Sequence, residues 1–169
     1  MHVSDLTRSL RKWTAVVAPA VGIGVWASSS MASHDAACTT TITLTNPVAT
    51  IEFGSVAGGS STGTVIVSSA GVKTVTGGAI DFGGTPSEAS WQINGKKQCT
   101  VILTFPASIT VTSGGDTTTV DTFNPNLTNP ILIPNSAKIT FKVGATLNVG
   151  VNQAAGTYTG TFSVNVDYD

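Results

Sequence analysis

Residues 158–169 read YTGTFSVNVDYD, and their character changes with every step. Tyr158, Gly160, Phe162, Val164, Val166 and Tyr168 fall on one side of an extended backbone, and Thr159, Thr161, Ser163, Asn165 and Asp167 fall on the other. A period of two with one apolar face belongs to a strand packed on one side and wet on the other. On a helix the same apolar residues would scatter around the whole circumference.

The same period recurs upstream. Residues 137–143, AKITFKV, place Ala137, Ile139, Phe141 and Val143 inward, and residues 99–105, CTVILTF, place Cys99, Val101, Leu103 and Phe105 inward. Further strands are expected at 39–45, 49–53, 64–67, 73–76, 89–94, 108–112, 118–123 and 145–150. Threonine supplies 25 of residues 33–169, and valine and isoleucine fill much of the rest of these runs, as pleated surfaces favour. Glycine pairs at 58–59, 77–78, 83–84 and 114–115 punctuate them. The stretch 124–135, NPNLTNPILIPN, has three prolines and reads as a loop or a broken edge. Turn signals about every ten residues suit an all-β, immunoglobulin-like two-sheet sandwich with Greek-key connections. Trp91 alternates with Ile93, which makes it a core plug rather than an exposed stacking platform.

The other end of the chain has a different grammar. Arg8, Arg11 and Lys12 precede TAVVAPAVGIGVW at 14–26, an uncharged run too short to span a bilayer, and small residues follow. This is the layout of a signal peptide over residues 1–32, with cleavage after Ala32 and a single domain at 33–169. The expected location is therefore secreted, periplasmic or at the bacterial cell surface, with no stable membrane span after cleavage. Cys38 and Cys99 are an even pair destined for an oxidising compartment, so a disulfide is the default expectation. Pairing within the chain or between chains stays open.

Composition excludes several function classes. Residues 33–169 contain five lysines, no arginine and eight acids, which leaves no basic surface for a phosphate backbone, so nucleic acid is not a partner. His34 is the one histidine in that stretch and sits in its N-terminal tail, which removes the usual base of a serine hydrolase. Asp81, Glu88, Asp116 and Asp121 each lie in or beside a loop and read as solvated acids; Asp116, Asp121, Asn124 and Asn126 match no calcium-loop spacing. No catalytic residue, cofactor or metal site is expected.

Three segments carry a family resemblance: LTNPVATIEFGSV at 44–56, TVTGGAIDFGGTPSEASWQING at 74–95 and LNVGVNQAAGTYTGTFSVNVDYD at 147–169. Together they resemble the bacterial domain-of-unknown-function family numbered 4402, from about Thr40 to the C-terminus, with Phe53-Gly54, Gly77-Gly78 with Gly83-Gly84-Thr85-Pro86, and Ala155-Gly156-Thr157-Tyr158 as its marks. The resemblance implies no catalytic activity. The closing alternating segment is also similar to the final strand of chaperone-usher pilins and spore-coat-U-like subunits. That similarity implies a pilin-like sandwich that lacks one strand and receives it from a neighbour by β-strand addition.

On this reading Ile42, Leu44 and Val48 form the candidate donor or edge strand, and Tyr158, Phe162, Val164, Val166 and Tyr168 form the candidate receiving strand. The expected function is a non-enzymatic structural subunit of a fimbria or coat. Its partners would be identical or related subunits, with a periplasmic chaperone during assembly. The alternative is a self-complete monomeric module whose loops at 58–61, 114–118 and 124–135 bind a surface glycan or polymer.

Overall fold

The computed structural model describes residues 38–48, 50–154, 158 and 160–169. The signal peptide expected at 1–32 lies outside the described residues. What is described is all-β, contains no helix, and therefore has no helix long and apolar enough to cross a membrane. Two antiparallel sheets face each other across one core, as the alternating strands require.

The larger sheet has seven strands. β1 (Thr43–Val48), β4 (Ala89–Asn94), β9 (Lys138–Val149), β2 (Val56–Val67) and β3 (Lys73–Asp81) form its main path, and β6 (Ser108–Ser113) joins through β7 (Asp116–Pro125). The smaller sheet is β10 (Asn165–Tyr168), β5 (Thr100–Thr104) and β8 (Ile131–Leu132), in that order. β9 is the hub. It pairs β4 along 138–143, β2 along 145–149 and β7 between 143 and 147.

Several expected boundaries move, each for a physical reason. The separate strands at 137–143 and 145–150 are one strand running through Gly144, because the missing side chain lets the end of β2 press in: a Cβ there would lie 1.9 Å from the Val67 carbonyl oxygen. The glycine pairs at 58–59 and 77–78 do not end strands. They sit inside β2 and β3, where the register slips between Gly58 and Gly63, and Gly77 takes a φ of 65° that other residues resist. Around 49–53 the strand expected from the sequence is reduced, among the described residues, to the isolated β-bridge Glu52–Ser87. The proline-rich stretch 124–135 yields the two-residue β8, and the last strand is laddered only over β10.

The core is led by Trp91, which is fully buried, stacked on Phe141 with centroids 5.4 Å apart and met edge-on by Phe162 at 5.7 Å. Phe162 in turn meets Phe123 at 4.7 Å, and Phe123 stacks on Phe105 at 6.1 Å. This aromatic chain ties the two sheets together. Tyr158 adds a corner lock: its side chain is wholly buried, and its hydroxyl donates to the Ala154 carbonyl four residues upstream while accepting from Gln153 Nε2. Such back-bonding by a tyrosine entering a late strand marks Greek-key sandwiches.

Candidate functional site

The site begins where side chains and backbone disagree. Along residues 160–169 burial alternates as the sequence dictates: Phe162 and Val164 are 3% and 6% exposed, Val166 and Tyr168 are half-buried, and Thr161, Ser163, Asn165 and Asp167 face out. The ladder does not follow the packing. β10 pairs β5 only from Asn165–Thr104 to Tyr168–Val101, and residues 160–164 make no backbone hydrogen bond to any described residue.

The sequence of β5 explains the interruption. Continuing the β5–β10 register would set Ser163 opposite Pro106, which has no N–H, and the chain turns there into β6. β6 pairs with β7 and leaves its other edge free among the described residues. Between that edge and residues 161–165 lies a groove of about 320 Å³, with Phe105, Pro106, Ile109 and Phe162 as its apolar lining. Buried side chains with unpaired N–H and C=O groups beside an apolar groove form a template for an added strand.

The opposite flank of β5 is closed. β8 pairs Thr100 with Leu132 and Val101 with Ile131. Pro130 then brings no N–H to the ladder, and the Asn129 side chain takes over. Leu103 N–H donates to Asn129 Oδ1 at 2.9 Å, and Asn129 Nδ2 donates to the Leu103 carbonyl at 2.7 Å. One carboxamide thus satisfies both backbone groups of Leu103 as a neighbouring strand would. Sequence reasoning missed this device, although an asparagine directly before a proline at a broken edge was there to be read.

The candidate donor segment lies elsewhere. Ile42 and Leu44 are half-buried against the core, and β1 runs antiparallel to β4, with Leu44 opposite Ile93 and Val48 opposite Ser90. This places Ile42, Leu44 and Val48 at the rim of the large sheet, while β10 belongs to the opposing sheet. Cys38 and Cys99 are joined, with Cα atoms 5.9 Å apart, and the Tyr168 hydroxyl bridges Lys96 N–H at 2.8 Å and Thr40 Oγ1 at 3.2 Å. The start of the described chain is therefore fastened to its own domain, worth on the order of 4 kcal/mol for a loop of this length.

Three of the four acids, Asp81, Glu88 and Asp121, are engaged in pairs, and Asp116 lies exposed at the β6–β7 turn. Asp81 is bonded by Lys73, which also donates to the Gly83 carbonyl at 2.8 Å, and Glu88 accepts from Lys142 at 2.6 Å. These lysine hydrogen bonds, ahead of all other causes, hold both carboxyls below their ordinary range, the reverse of what a general acid needs. Asp121 accepts from Asn148, and Asn126 pairs with the Lys142 backbone instead of converging on it. Among the described residues no three His, Cys, Asp or Glu side chains gather closely enough to hold a metal ion. His34 lies outside the described residues.

A family model described as a domain of unknown function, DUF4402, matches residues 35–168. No curated protein and no solved structure matches the chain.

Proposed function

The chain belongs to the DUF4402 family, and from that premise we propose that it is a non-enzymatic structural protein of the bacterial periplasm or surface, a pilin-like subunit assembling by β-strand pairing. The observation that carries this reading is the edge at 160–164, where Phe162 and Val164 are already packed while the backbone has no hydrogen-bond partner among the described residues and faces an apolar groove. A strand laid there would find hydrogen-bonding groups on one side, the edge of β6 that no described strand pairs on the other and a pocket at Phe105 and Ile109 for its own apolar side chains. The fastened β1 of the same chain is not that strand. The donor comes from a neighbouring subunit, and a chaperone covers the groove until it arrives.

Size exclusion and negative-stain microscopy of the exported protein test this reading. The expected result is ladders or fibres that survive mild detergent. Ser163→Pro removes one N–H that no described residue uses, so it should leave the melting temperature of the monomer nearly unchanged and abolish assembly. A wild-type protein that stays monomeric, or a Ser163→Pro variant that assembles normally, would overturn the proposal and favour the self-complete binding module.

A further inference from the structure

The outer face of the large sheet bears a second feature, independent of strand pairing. The registers align Thr76 of β3 with Thr64 of β2, Thr64 with Asn148 of β9, and Thr119 of β7 with Thr110 of β6. Asn148 Nδ2 donates to Thr119 Oγ1 at 3.1 Å, which joins the two halves. One short polar side chain per strand therefore crosses five adjacent strands in a single row, opposite in facing to the buried Val65, Leu147, Val120 and Val111.

The row is set in a trough of about 650 Å³, floored by the end of β9 and walled by the β2–β3 and β6–β7 hairpins, with Gln153 at one end. Its lining contains no charged and no aromatic side chain. Thr64 and Thr76 share a hydrogen bond of 2.7 Å, which still leaves the pair one hydroxyl proton and free lone pairs, and Asn148 Oδ1 is open among the described residues. Behind the row, Asp121 fixes the Asn148 amide at 2.8 Å and adds negative potential.

We infer that this trough is a binding site for a neutral polysaccharide chain lying across the strands. Strands are spaced about 4.8 Å apart, close to the length of one hexose, so successive sugars meet successive hydroxyl or amide groups. Hydroxyls and amides both give and accept hydrogen bonds, which matches a polyol. The lack of any cation in the lining, with Asp121 behind it, disfavours sulfated, uronic or phosphorylated polymers, and the lack of apolar side-chain breadth disfavours lipid.

Affinity electrophoresis of the full exported protein, in native gels cast with hydroxyethyl cellulose, dextran or galactomannan, tests the inference, with anionic polygalacturonate as comparison. Retardation is expected in at least one neutral gel and not in polygalacturonate. Thr64→Val with Thr119→Val keeps shape and strand propensity, and should weaken the apparent affinity about tenfold through two lost hydrogen bonds. Thr140→Val, on an exposed position of β9 outside the trough, should leave it unchanged. Absence of retardation in every neutral gel, retardation only in polygalacturonate, or equal loss in the Thr140→Val control would each overturn the site.

Discussion

β5 has two flanks that end in opposite ways. On one, β8 is only two residues long, yet Asn129 supplies the next pair of hydrogen bonds from its side chain, and the backbone of Leu103 is satisfied. On the other, β10 pairs four residues, and the chain before it stays packed without a ladder. Among the described residues the molecule thus closes a broken edge with a side chain on one side alone. The open flank is the one with an apolar groove beside it. Open edges invite pairing with other chains, and proteins commonly blunt them with charge, proline or cover. Thr161 and Ser163, which face solvent at this edge, carry no charge to blunt it.

The comparison can be broken in several places. The largest effect is expected from replacing both cysteines, Cys38→Ser with Cys99→Ser. This frees the segment that holds Tyr168 through Thr40 and costs about 4 kcal/mol, measurable by denaturant titration; an unchanged midpoint would mean that the link adds nothing to β5. Phe162→Ala comes next, at about 3 kcal/mol, the low end for such a truncation because a segment without a ladder can settle into the cavity. A loss of 5 kcal/mol or more would show that 160–164 is held as rigidly as a paired strand.

Asn129→Ala should cost about 1–3 kcal/mol by leaving the Leu103 groups unpaired, and it should give the β8 flank the exposed character of the β10 flank. Hydrogen exchange is the sharper readout there. In the wild-type monomer the amides of 161–164 should exchange far faster than those of Val101, bonded to β8, and Leu103, bonded to Asn129, and the variant should bring Leu103 toward the fast group.

The smallest effect concerns acid. Asp81 and Glu88 have carboxyls depressed by Lys73 and Lys142, so the stability they add is present above their unfolded values and is lost as pH falls through the folded ones. Both pairs are partly solvated, and the decline below about pH 4 should amount to a small fraction of the total. Lys73→Met and Lys142→Met should flatten that decline in a pH series of melting temperatures.

How much of this could be read in advance depends on what an alternating pattern reports. A period of two states which way side chains face, and it located the packing of Phe162, Val164 and Trp91 correctly. It is silent on whether a neighbouring backbone is present, so the expected strand over 158–168 and the shorter β10 have the same signature. Glycine pairs were ambiguous for a related reason. Gly114 does take the positive φ of a hairpin turn after β6, whereas Gly77 and Gly78 serve a register slip in mid-strand, and only the partner strand distinguishes the two. The Asn129 closure and the threonine row both depend on residues far apart in the chain becoming neighbours, which local pattern cannot supply. The 154–158 spacing that ends in Tyr158 could have been recognised as a corner lock from the sequence.

The Cys38–Cys99 link also sets how the molecule would bear a load. Asp169 N–H is bonded to the Thr100 carbonyl, so residues 38 and 169 emerge at the same end of the β5–β10 pair. Tension applied between them would pass through sulfur directly to β5 and leave the stretch 39–98 slack. It would act on β10 as on a zip pulled from its tab, one rung after another, so that β10 would yield first while the seven-stranded layer stayed whole.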